Sequence, residues 1–121
     1  MTLRDPGVHL EDIEHDAEAA MRFAAGFDLA AYLADDKTRA AVERALESCA
    51  EAMRQLDRIA PGVARSIPHA RAIIGFRDIL AHGCAGLDHT KVFAVVTADA
   101  PELLRAARAA LKAFPDPGPP D

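Results

Sequence analysis

Arg77, Asp78 and His82 are the residues of this 121-residue chain best suited to carry chemistry. They fall in the run Ile73-Ile74-Gly75-Phe76-Arg77-Asp78-Ile79-Leu80-Ala81-His82, whose apolar spacing predicts a helix. Asp78 and His82 are four positions apart, so on a helix their side chains meet. A carboxylate beside an imidazole favours the imidazolium and selects which ring nitrogen carries the proton. His82 is thereby a candidate general acid or base, with Asp78 as its orienting group. Arg77 cannot lose its charge and can hold a phosphate through two parallel hydrogen bonds. Such a set is sufficient for RNA cleavage without a metal, because the neighbouring 2′-hydroxyl is the nucleophile and needs only deprotonation. The bland alternative for the same three residues is a salt-bridged surface.

Arg77 also departs from the pattern of its own helix. On a wheel of about 100° per residue with Arg77 at 0°, Ile73 and Leu80 fall near −40° and −60°, and Ala81 and Ile74 near +40° and +60°. The arginine is flanked on both sides by apolar positions, and an unpaired buried guanidinium is costly. A carboxylate, a second chain or a phosphate must meet it. Arg71, Gly75, Asp78 and His82 form a neighbouring polar stripe, near +100° to +160°. Arg77 and His82 are five positions apart, about 140° around a straight helix, so they do not point the same way. Either the helix ends at His82, with Gly83 freeing its last turn, or a second copy lies across this face and the two copies share one groove.

The elements that would position these residues are helical. Alanine dominates, and β-branched residues are thin outside positions 90–97, which favours closely packed helices. Pro6 can open a first helix running from about Val8 to Gly26, with the stripe Leu10, Ile13, Ala17, Ala20, Met21 and Ala24. Asp28 can cap a short helix over Leu29–Ala34, and Asp35-Asp36 begins a long one to about Ala60. That helix carries Val42, Leu46, Cys49, Met53 and Leu56 on one face, and Pro61-Gly62 stops it. Residues 61–67 read as a connector, and Pro68 as the first residue of the helix that ends near His82. Asp88 can cap a further helix through Val96, and Thr97 or Asp99 a last one over 100–114. Val92-Phe93-Ala94-Val95-Val96 has strand propensity, but a lone strand has no partner, so it reads as helix. The sum is an all-α, antiparallel helical bundle of four to five main helices in one domain, residues 1–114. The Pro-rich tail, 115–121, is expected to be disordered.

Composition narrows the function. The net charge of −5 argues against a general nucleic-acid coat. Yet residues 61–97 hold Arg65, Arg71, Arg77 and Lys91 against only Asp78 and Asp88, along with three of the five histidines. A local basic site on an acidic body suits an anionic target contacted over a few phosphates. His69, Arg71 and His89 are supporting candidates, whereas His9 and His15 read as solvated. Cys49 and Cys84 are too few and too far apart for a metal motif or a disulfide framework, and Cys49 reads as a buried small hydrophobe. No metal and no cofactor are called for. No apolar run approaches the roughly 20 residues of a membrane span, and the first residues lack a signal peptide's apolar core, so the expected location is the cytoplasm.

At Ile73–His82 the chain resembles the HepT-like proteins of the HEPN group, whose signature is Arg, a polar residue, three further positions and His. Here that is Arg77, Asp78, Ile79-Leu80-Ala81 and His82. The resemblance also includes Leu10-Glu11-Asp12-Ile13, Tyr32–Thr38, Ala41–Glu47, Ile67-Pro68, His82-Gly83, Gly86-Leu87-Asp88 and Val92-Phe93, and covers roughly residues 8–113. It implies a bundle that forms a homodimer with the two motifs facing each other. It implies a ribonuclease toxin neutralised by a minimal nucleotidyltransferase. By position, Arg77 is the phosphate-binding and catalytic arginine, His82 the catalytic histidine, and Asp78 the polar residue between them. Many members continue His-x-Tyr, and in some that tyrosine receives AMP from the partner enzyme. This chain has His82-Gly83-Cys84, and Cys84 cannot accept AMP in the same chemistry. Cys84 either packs or meets an RNA base, as Arg71 on the polar stripe meets RNA or Asp78. A rival reading is a non-catalytic helical dimer that docks a nucleotidyltransferase or holds a nucleotide, with Arg77 at the interface.

Overall fold

A computed structural model describes residues 5–81 and 88–114, without the side chains of 77–81. Its elements are α1 (Pro6–Ala24), α2 (Leu29–Ala34), α3 (Asp36–Ile59), α4 (Pro61–Arg65), α5 (Ala70–Ala81), α6 (His89–Ala94), a π-helical turn (Val95–Asp99) and α7 (Ala100–Leu111). Among the described residues there is no strand, and Val92–Val96 is helical as expected. The tail at 115–121 lies outside the described residues.

Aspartates start four of the helices by accepting backbone N–H bonds that the first turn cannot satisfy internally. Asp5 Oδ1 accepts from Val8 at 3.2 Å, with Pro6 at the first helical position, and opens α1. Asp28 accepts from Ala31 at 2.8 Å and opens α2, Asp35 from Thr38 at 3.1 Å and opens α3. Asp88 accepts from Thr90 at 3.0 Å and from Lys91, opening α6. Beyond the C-terminal end of α1 lies Gly26, at φ +84°, a conformation that glycine adopts without a Cβ penalty.

α1 and α3 pack antiparallel: the Cys49 Sγ lies 4.0 Å from the Ile13 carbonyl, while Ala20 and Ala24 share a cluster with Val42 and Leu46. α7 runs antiparallel along the other flank of α1. Arg108 of α7 donates to Glu14 at 2.8 Å and to Glu18 at 2.6 Å. At the end of that flank Phe114 closes over Gly7, where an added Cβ would stand 3.2 Å from the Phe114 Cβ. The core has two parts. One joins Leu10, Ile13, Met53, Leu56, Ile73 and Leu103 from α1, α3, α5 and α7. The other is built around Tyr32, Val42, Leu46, Val92 and Val96, where the Tyr32 and Phe93 rings stand 5.0 Å apart.

Three expectations are corrected. Residues 61–67 are not a plain connector, because Pro61 both stops α3 and opens α4 at its first position. α5 begins at Ala70 rather than Pro68, because His69 takes φ +68°, the left-handed region, which no helix can continue through. His9 is not solvated: it is 4% exposed, with Asp12 and Asp16 one and two turns on along α1. His15 is exposed, and Cys49 is buried as a hydrophobe at 1% exposure.

Candidate functional site

α5 is the element that carries Arg77 and Asp78, and its setting is defined by its first two turns. Ile73 is 2% exposed and belongs to the core shared by α1, α3 and α7. Ile74 and Phe76 are half-buried, the first against that core and the second against the cluster around Tyr32. Arg71 and Gly75 are exposed. The helix therefore turns its apolar face onto α3 and its polar stripe to solvent.

Position 77 lies one turn beyond Ile73 and Ile74, between their azimuths on the helix. Position 78 lies two turns beyond Arg71, on the outward stripe. At Ile73 the apolar face is covered by the chain's own core, so no second copy is needed to cover it there. The Arg77 and Asp78 side chains are not among those described, and His82 and Cys84 lie outside the described residues. The expected meeting of Asp78 with His82, and the separation of His82 from Arg77, fall there too.

The supporting candidates are tied elsewhere. His69 Nε2 lies 2.9 Å from Glu102 Oε2, and its Nδ1 lies 3.9 Å from Asp99 Oδ1, both at the start of α7. His89 Nδ1 lies 2.9 Å from Glu43 Oε2 of α3. Arg71 pairs with no carboxylate among the described residues. Tyr32, the chain's only tyrosine, is 0% exposed, and burial together with the nearby Glu43 pushes its hydroxyl up to about 12. A hydroxyl so enclosed cannot take the place of the absent tyrosine after His82.

Two clefts differ in charge. One of about 300 Å³, between α1 and α3, is lined by His9, Asp12, Asp16, Ser48, Glu51 and Gln55. Burial raises the Asp16 carboxyl above its ordinary value, against a lowering by its hydrogen bond with Ser48. Its acidity repels phosphate, so it is no candidate for RNA. Its sequence signal was the row His9, Asp12, Asp16 on one face of α1, which faces the polar flank of α3. The other cleft, about 330 Å³, lies where the chain turns into α5 and is lined by Arg65, Ile67, Pro68, His69, Arg71 and their alanine neighbours. Among the described residues no three His, Cys, Asp or Glu side chains converge to hold a metal ion. No helix of the described residues is long and apolar enough to cross a membrane.

A helical bundle with this motif helix defines a class: the chain belongs to the HepT-like ribonuclease family, whose description, Ribonuclease HepT-like, matches residues 13–110. That span contains Arg77, Asp78 and His82. A similar protein of Methanocaldococcus jannaschii, named "Putative RNase MJ1380", is 29% identical over 103 residues, 85% of this chain and 94% of that protein. No solved structure matches the chain.

Proposed function

We propose that the chain is a metal-independent endoribonuclease toxin, active as a homodimer and neutralised by a minimal nucleotidyltransferase partner. The observation that carries the reading is the Arg77-Asp78…His82 signature inside a family match that spans it, with positions 77 and 78 on α5. Arg77 clamps the scissile phosphate and stabilises the charge that grows on its oxygens. His82, oriented by Asp78, takes the proton of the 2′-hydroxyl as that oxygen attacks phosphorus. A second proton carrier serves the departing 5′-oxygen, and the His82 of a second copy meets that need in a shared groove. Acid–base help of this kind is typically worth about 10²–10⁴ in rate.

The Arg77–His82 angle favours two copies over one. On a straight helix the two residues diverge by about 140°, so a groove between two α5 helices is the simplest way to bring an arginine and a histidine to one phosphate. Neutralisation is separate from tyrosine modification, because Cys84 stands at the acceptor position and Tyr32 is buried. Docking of the partner over the groove is the mode that these residues leave open. Growth arrest on expression, relieved by Arg77→Ala and by co-expression of a neighbouring nucleotidyltransferase, tests the toxin pairing. Arrest that persists in Arg77→Ala contradicts it.

A further inference from the structure

We infer that the cleft at the α4–α5 corner, with Arg65 and Arg71 as its cations, is a phosphate subsite for the RNA strand. The bare strip at Gly75 is the path from that cleft to the catalytic motif. The inference rests on the ribonuclease reading and names how that site holds its substrate.

Three observations carry it. The first is charge. Arg65 and Arg71 are both exposed, both line the same cleft of about 330 Å³, and neither pairs with a carboxylate among the described residues. Elsewhere Arg39, Arg54 and Arg108 are paired with Asp36, Glu51 and Glu14, while Arg22, Arg44, Arg58 and Arg105 share with Arg65 and Arg71 the lack of a carboxylate partner among the described residues. What sets Arg65 and Arg71 apart is that they line one cleft. Glu102 and Asp99 lie against His69, which also lines the cleft. Two guanidinium groups on one concave surface, with no carboxylate partner among the described residues, suit an anion with several oxygens, and guanidinium forks match phosphate geometry.

The second is Gly75. Glycine in a helix interior is less favourable than alanine. Here a Cβ would meet nothing within 4 Å, so nothing among the described residues demands its absence. Glycine at such a place suits close approach by a molecule from outside. The third is register. Arg71, Gly75 and Asp78 follow one stripe at steps of four and three. Arg71 stands about 10 Å along the helix axis from position 78. That is a short span for an extended strand, so one strand can rest on the cleft, cross the bare strip and reach the motif. Positive charge at the start of the stripe favours a polyanion over the same stripe of a second copy, which would bring its own arginines to the contact.

The test uses the full chain with His82→Ala as background, so that labelled single-stranded RNA survives the titration. Adding Arg65→Ala and Arg71→Ala should weaken binding to all sequences alike. The slope of log K against log salt should fall by about 0.7 for each arginine. With His82 intact, the double variant should lose cleavage of long RNA but keep cleavage of a dinucleotide that reaches only the motif. Gly75→Gln should leave the melting temperature unchanged or raised, since its side chain enters open space, while RNA affinity falls. If the wild-type chain cuts RNA and the double arginine variant binds with unchanged affinity and salt slope, the subsite is wrong and the ribonuclease reading stands. If Gly75→Gln separates the copies without changing RNA affinity, the bare strip belongs to a second copy, and the path is wrong. If the wild-type chain neither binds nor cuts RNA, the ribonuclease reading fails and the subsite with it.

Discussion

His69 Nε2 stands 2.9 Å from Glu102 Oε2, so the residue just before the motif helix is tied to the first turn of α7. The same histidine holds φ +68°. The corner that aims α5, and with it Arg77, is therefore fixed twice, by a left-handed backbone residue and by a side-chain link to another helix.

Substitutions at that corner should separate the two effects. His69→Ala loses the link and keeps the unfavourable backbone, and should cost about 0.5–1.5 kcal/mol. His69→Gly loses the same link but relieves the backbone, and should be more stable than the alanine variant by about 1 kcal/mol. Urea unfolding of both variants checks the order. An alanine variant as stable as the glycine variant would show that the positive φ is not sustained in solution.

Tyr32 should tolerate loss of its hydroxyl. The ring is fully buried against Phe93, and its oxygen has no hydrogen-bond partner among the described residues. A buried hydroxyl without a partner costs about 1–3 kcal/mol, so Tyr32→Phe should be neutral or stabilising by up to about that amount. Tyr32→Ala should cost about 3–5 kcal/mol through the cavity it leaves. Thermal unfolding of the two variants gives the comparison.

Alkaline stability follows from two buried acids. Burial pushes the Cys49 thiol up to about 12 from 9.0, with the nearby Asp16 adding to the rise, and the Tyr32 hydroxyl up to about 12 from 10.0. Each folded-state value is raised, so each contribution to stability is whole below the unfolded value and is lost as pH rises through the folded one. Stability should begin to fall near pH 9, where unfolding first releases the Cys49 proton, and fall faster above pH 10. Each released proton steepens the decline by about 1.4 kcal/mol per pH unit. Cys49→Ala should flatten the part between pH 9 and 10. Native Cys49 should also resist thiol reagents until the chain unfolds, which a timed labelling experiment reads directly.

The helices were legible wherever a local signal carried them. Asp28 and Asp35 mark the starts of α2 and α3, and the row Val42, Leu46, Cys49, Met53 and Leu56 is the buried face of α3. The start of α5 was not legible, because Pro68 is a good opening residue by itself, and the Glu102 that His69 meets comes from a helix 33 positions away. His9 was missed for a related reason: among acidic residues it looks solvated, and only the polar flank of α3 makes a buried place for it. The motif was legible as chemistry. The apolar setting of Arg77 was legible too, but it was read as calling for a carboxylate, a second chain or a phosphate, whereas at Ile73 that face meets the chain's own core. Arg65 and the cleft it shares with Arg71 were not legible, because the fold brings the end of α4 against the first turn of α5.

The ribonuclease account is tested most directly by incubating purified full-length protein with mixed single-stranded RNAs in the presence of a metal chelator, beside His82→Ala and Arg77→Ala. The account predicts cleavage by the wild-type chain, products ending in a 2′,3′-cyclic phosphate, and loss of at least about 10²-fold in rate in each variant. Equal inertness of the wild-type and variant proteins toward every RNA, or equal cleavage by all three, would contradict it.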